Sequence, residues 1–110
     1  MSATLMPIAA RIAAVLNVAN GTSEHEIAMR LMNVAEEAGE AIAAYIGTTC
    51  HNPRKDITHT TADVADELCD VIIAATVALH SFSATPAADL TAKLDTSVRR
   101  LVANLPQRTN

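Results

Sequence analysis

Five carboxylates stand in two short groups: Glu36, Glu37 and Glu40 in "VAEEAGEAIAAY" (34–45), and Glu67 and Asp70 in "DELCD" (66–70). On helices, acids three and four residues apart share a face and repel, each pair costing roughly 0.2–0.5 kcal/mol. No lysine or arginine lies between Arg30 and Arg54 to pair with the first group. Eight of the twelve acids fall between Glu36 and Asp70. If the two helices pack antiparallel, Glu37 and Glu40 come opposite Glu67 and Asp70, and four carboxylates in one cleft need positive charge. A divalent metal would supply it. Oxygen-only ligands select a hard cation such as Mg²⁺ or Mn²⁺ rather than zinc, and Mg²⁺ commonly shares its shell with phosphates. Two blander readings stand beside this one: a solvated acidic face, or carboxylates sharing protons.

The chain can position such groups only if it is helical, and its composition says that it is. Half of the 110 residues are apolar, alanine dominates them, and only Tyr45 and Phe82 are aromatic. Alanine has the best helix propensity, whereas a β-sandwich needs branched or aromatic strands and many turn signals. The expectation is one all-α domain over residues 1–110, large enough for one core.

Periodicity and punctuation give four helices. The first runs from about Thr4 to Ala19, with Leu5, Ile8, Ile12, Val15 and Leu16 at helical spacing and Gly21 as a stop. The second opens at "SEHE", where Ser23 and Glu26 can form a capping box, and continues to about Ile46, with Gly47 to end it. Its apolar stripe of Ile27, Leu31, Val34, Ala38, Ile42 and Tyr45 is expected to face the core, opposite the acids. The third starts near Thr60 or Thr61 and runs to about His80. It is apolar nearly all round below Asp70, so it should be buried, with Glu67 and Asp70 at least half-buried. The fourth begins at "ATP", with Thr85 as cap and Pro86 at its first position, and carries the stripe Leu90, Leu94, Val98, Leu101 and Leu105 over about 86–105. The motif-bearing core spans about 23–82. The connection at 47–59 is longer than helix connections usually are and contains Arg54 and Lys55, so a basic loop joins two acidic helices.

A net charge of −4 offers no general basic surface for a nucleic-acid polymer. The longest apolar stretch, "VIIAATVAL", is far short of the ~20 residues that span a bilayer. The N-terminus lacks a basic n-region and Arg11 interrupts its apolar stretch, so no signal peptide is expected. Two cysteines without such a signal fit a reducing cytoplasm.

"EEAGE" followed after 26 residues by "ELCD" is an EExxE…ExxD pattern. With "NPRK" and "HTTADVADELCDV" around it, the pattern over roughly residues 27–80 resembles the all-α nucleoside triphosphate pyrophosphohydrolases of the MazG-like group, small bacterial members in particular. The resemblance implies a four-helix bundle-type fold and Mg²⁺-dependent cleavage of a nucleoside triphosphate to the monophosphate and pyrophosphate. Mn²⁺ is a possible substitute, and the substrate could be a deoxy or non-standard nucleotide. By the resemblance, Glu37 and Glu40 match the ExxE metal ligands and Glu67 and Asp70 match ExxD. Glu36 matches the first Glu, as a further ligand or as the group that orients the attacking water. Arg54 and Lys55 would contact phosphates, and Asn33 and Asn52 would hydrogen-bond the substrate. Family members generally build the site across a homodimer or homotetramer. The chain departs from the group in its aromatics: Thr61 stands where members often carry one, leaving Tyr45 and Phe82 to stack on a base.

Other chemistry fits less well. Cys50, His51, His59 and Cys69 match no standard zinc spacing, and Cys69 is expected on a buried side. No Glu has a His three residues later, which excludes a di-iron bundle. Cys50 has no orienting third group for nucleophilic catalysis. Met29 and Met32 are expected in a core or a subunit interface rather than at a ligand. The rival to the enzyme reading is a helical oligomer that binds nucleotide or a protein partner without turnover.

Overall fold

Side-chain oxygens cap two of the four helices, the second and the third. The computed structural model describes residues 4–49 and 56–106. Its helices are α1 (Leu5–Asn20), α2 (Glu24–Gly47), α3 (Thr61–Leu79) and α4 (Pro86–Ala103), and no strand occurs among the described residues. Ser23 caps α2 by accepting from Glu26 N at 3.2 Å. The expected capping box is only half formed there, because the Glu26 carboxylate reaches forward to Arg30 instead of back. The complete box belongs to α3: Thr60 Oγ1 accepts from Asp63 N, and Thr60 N donates to Asp63 Oδ2 at 2.8 Å. That contact holds the Asp63 carboxyl below its ordinary range, the backbone hydrogen bond being the larger cause and the Thr60 hydroxyl the next. At α4, Pro86 takes the first position, but Thr85 donates its hydroxyl to Asp89 Oδ1 rather than capping the backbone.

Gly21 ends α1 with φ +80°, a left-handed backbone that a side chain would strain. Gly47 does something other than stop a helix. It is the last residue of α2, and its carbonyl accepts from Thr58 N and His59 N at 2.9 and 3.1 Å. A Cβ there would overlap the His59 ring and the Thr58 hydroxyl. The missing side chain lets the loop return tightly, so that α3 folds back along α2.

The pairings Gly47–His59, Glu37–Glu67 and Arg30–Ser81 run in opposite directions, which makes α2 and α3 an antiparallel hairpin. Its seam is built from Ala41, Ala44, Ala74 and Ala78, while α1 packs onto α3 through Ala9 and Ala13 against Val77, with Ile12 and Leu16 beside them. These small residues let backbones approach closely but bury little apolar area, and no large side chain is fully buried.

Two expectations are corrected here. On α2 the face against α3 is the one with Arg30, Glu37, Ala41 and Ala44, so Leu31, Ile42 and Tyr45 are exposed, not core. On α3, Leu68, Cys69, Ile72 and Ile73 are exposed, so the helix is covered on part of its circumference only. At 100° per residue, Leu31, Ile42 and Tyr45 lie roughly a quarter-turn or more from the seam on α2, and Leu68 and Ile72 do so on α3. Antiparallel helices reverse the sense of rotation. Both stripes therefore fall on one side of the hairpin, opposite the side that α1 covers.

Helix α4 buries no residue; its Leu94, Val98 and Leu101 are exposed, as is Leu105, which lies beyond the helix end rather than on it. The radius of gyration of 18.1 Å exceeds the ~13 Å of a compact chain of this length. One chain thus forms three packed helices and an outlying fourth, an open version of the expected bundle.

Candidate metal centre

Glu37 and Glu40 sit three residues apart on α2, as Glu67 and Asp70 do on α3, and the hairpin brings the two pairs together. One carboxylate oxygen from each of Glu37, Glu67 and Asp70 can be chosen so that all three lie within 4.8 Å of one another. Glu40 stands beside them, close enough that its charge acts on both Glu37 and Glu67. Glu37 and Glu67 are half-buried, while Asp70 and Glu40 are exposed at the rim.

The inner oxygens are poorly served. Glu37 Oε2 and Glu67 Oε2 are buried and meet no hydrogen-bond donor among the described residues. Loss of water raises the carboxyl of Glu37 above its ordinary range, and the charges of Glu40, Asp70 and Glu67 raise it further. Glu67 is raised in the same way, by desolvation first, then by Glu40, Asp70 and Asp66. Among the described residues the ion pairs are Arg30–Glu26 and Arg99–Asp95, and neither touches the cluster. Three carboxylates that can each turn an oxygen to a common point, with two buried oxygens of Glu37 and Glu67 unpartnered and no cation from the described chain, fit a hard divalent ion by donor type and charge.

The cluster forms one edge of a cavity of about 310 Å³ between the hairpin and α1. Its walls are largely aliphatic, with Ile12 and Leu16 from α1, Met29 from α2, and Ile73 and Val77 from α3. Glu26, Arg30, Asn33, Glu37 and Asp70 supply the polar lining. Asn33 is exposed at this cavity, and its side chain has no hydrogen-bond partner among the described residues. Tyr45 and Phe82, each 62% exposed, do not line this space. Glu36 is exposed on α2 and stands outside the group of three. Asn52, Arg54 and Lys55, like Cys50 and His51, lie outside the described residues.

Sequence reasoning missed the contributions of α1 and of Arg30. Arg30 is 7% exposed, and one signal pointed to it: it precedes Glu37 by seven residues, two helical turns, and so shares its face. Met29 was expected in a core or interface and instead faces the cavity. Compared with models of protein families, with curated proteins and with solved structures, the chain matches none.

Proposed function

We propose that this protein is a cytoplasmic, MazG-like nucleoside triphosphate pyrophosphohydrolase that uses Mg²⁺, with Mn²⁺ as a substitute. The observation that carries the reading is the convergence of Glu37, Glu67 and Asp70 from two helices, with two inner oxygens unpartnered, beside a cavity open to an organic group. Glu37, Glu40, Glu67 and Asp70 would hold the metal, and Glu36 would serve as a further ligand or orient the attacking water. When bound, the cation neutralises phosphate charge and makes an attacking water more acidic. Through that cation the carboxylates would hold the triphosphate at the cavity mouth, while Asn33 offers a free amide to the nucleoside part. Water adds at phosphorus, the bond between the α- and β-phosphates breaks, and monophosphate and pyrophosphate leave. Asn52, Arg54 and Lys55 lie outside the described residues; the resemblance implies that they would contact the substrate, Arg54 and Lys55 at its phosphates.

The test is direct. Purified protein is incubated with each common and deoxy triphosphate plus Mg²⁺ or Mn²⁺, and pyrophosphate is assayed. Release from at least one nucleotide is expected; none from any would sink the enzyme reading.

The proposed assembly is a homodimer or homotetramer. The alanine seam buries little, while Leu31, Ile42, Tyr45, Leu68 and Ile72 form one uncovered apolar side. A second hairpin laid there completes a four-helix bundle. A second functional reading rests on the cavity's aliphatic walls: without a stacking ring, the oligomer would bind nucleotide or a protein partner and turn nothing over. The same assay separates the two.

A further inference from the structure

Arg30 is the one charged residue that is buried among the described residues, and it is not a counter-ion of the acidic cluster. Its Nε donates to Glu26 Oε2 at 2.8 Å, and its Nη1 to Asn17 Oδ1 at 2.8 Å and Ser81 Oγ at 3.2 Å. Its Nη2 donates to the Gly21 carbonyl at 3.1 Å. Four of the five guanidinium protons are thereby used. The partners come from the last turn of α1, the α1–α2 turn, the first turn of α2 and the turn that follows α3. A planar fork can reach such divergent acceptors at once, whereas an ammonium acts as a point charge.

The placement matters because α1 is exposed from Asn17 to Asn20. Before that it packs on α3 through Ala9 and Ala13 against Val77, with Ile12 and Leu16 partly buried beside them. Yet Ile12 and Leu16 of α1 form the wall that faces Glu37 and Asp70 across the cavity.

We infer that Arg30 is a positioning residue: its fork pins the end of α1 to the hairpin and so sets the width of the cavity that receives the nucleoside part of the substrate. The substrate in this statement rests on the pyrophosphohydrolase reading; the pinning of α1 does not. Arg30 lies two turns from Glu37, about 10 Å along the helix axis, so loosening it alters the wall and leaves the carboxylates in place.

The test uses the full chain with Arg30→Lys and, as a milder change that removes one bond, Asn17→Ala. Amide hydrogen exchange in α1 should accelerate roughly tenfold or more, as expected for a locally released element. Mn²⁺ affinity should stay within about twofold. KM for the best triphosphate should rise roughly fivefold or more with kcat little changed, the pattern of lost uniform binding. Inorganic tripolyphosphate, which has no nucleoside, should inhibit variant and wild type equally. Unchanged exchange in α1 would overturn the inference. So would a parallel loss of Mn²⁺ or tripolyphosphate binding, because that marks general collapse. If Arg30→Lys does not fold, Asn17→Ala decides. A wild type that releases no pyrophosphate sinks the enzyme reading, and the exchange and Mn²⁺ data then still decide whether Arg30 fixes α1.

Discussion

Glu37 of α2 and Glu67 of α3 each have one buried oxygen, and neither oxygen meets a donor among the described residues. Unpaired carboxylates out of water are unfavourable, and here Asp70 and Glu40 add like charge. The hairpin holds them together because the alanines at 41, 44, 74 and 78 bring the two backbones close. The arrangement is relieved by protons or by a cation, and the two differ in what they predict.

Replacing a ligand by its neutral isostere separates repulsion from function. Glu40→Gln and Asp70→Asn should lower pyrophosphate release by roughly 100-fold or more, since several kcal/mol of transition-state charge stabilisation depend on the cation. The metal-free fold should keep its helicity and melt no lower, because each lost like-charge neighbour relieves roughly 0.2–0.5 kcal/mol. Full activity in either variant would remove that residue from the metal shell.

The pH dependence of the metal-free protein follows from the raised carboxyls of Glu37 and Glu67. Between the ordinary glutamate value of 4.5 and their raised folded values, the native state binds more protons than the unfolded chain. This contribution to stability is therefore present at the acid end and falls as pH rises through the folded values. Mg²⁺ should act in the opposite sense, because ligation displaces those protons and tightens as pH rises. Melting curves from about pH 5 to about pH 8, with and without Mg²⁺, check both signs. A Glu37→Gln, Glu67→Gln double variant should lose this part of the slope and the Mg²⁺ response together.

The start of α3 titrates the other way. Asp63 is depressed by its contacts with Thr60, so the stability it adds is present above the ordinary aspartate value of 3.8 and is lost as pH falls through its lower folded value. Thr60→Ala removes half of the box and should cost about 1 kcal/mol. Thermal melting at neutral pH reads that loss; an unchanged midpoint would mean the cap contributes nothing.

The acids and the caps were legible because both depend on short spacings: i, i+3 pairs in "EEAGE" and "ELCD", Ser23 before α2, Thr60 before α3, Pro86 at α4. Helix phase is what the pattern left open. Ile27, Leu31, Val34, Ala38, Ile42 and Tyr45 do make one apolar stripe, but periodicity reports that a face is apolar and not which surface buries it. Within the chain, α2 turns its alanines and Glu37 to α3, because close backbone approach needs small residues. The same ambiguity hid Arg30, whose burial depends on Asn17, Gly21 and Ser81 meeting from three other segments.

That phase difference makes the uncovered stripe testable. Leu31 and Ile72 are 55% and 53% exposed on the same side of the hairpin, and burying the exposed half of each would gain roughly 1–1.5 kcal/mol. A charge at either position leaves the alanine seam untouched and penalises only what packs over the stripe. Leu31→Glu and Ile72→Glu should therefore shift the mass measured by light scattering from oligomer towards monomer, and lower the melting temperature in a concentration-dependent way. Val18→Glu, at a site on α1 that is 90% exposed, should do neither. A wild type that is monomeric at every concentration would contradict the assembly. Equal effects from all three substitutions would place the contact elsewhere.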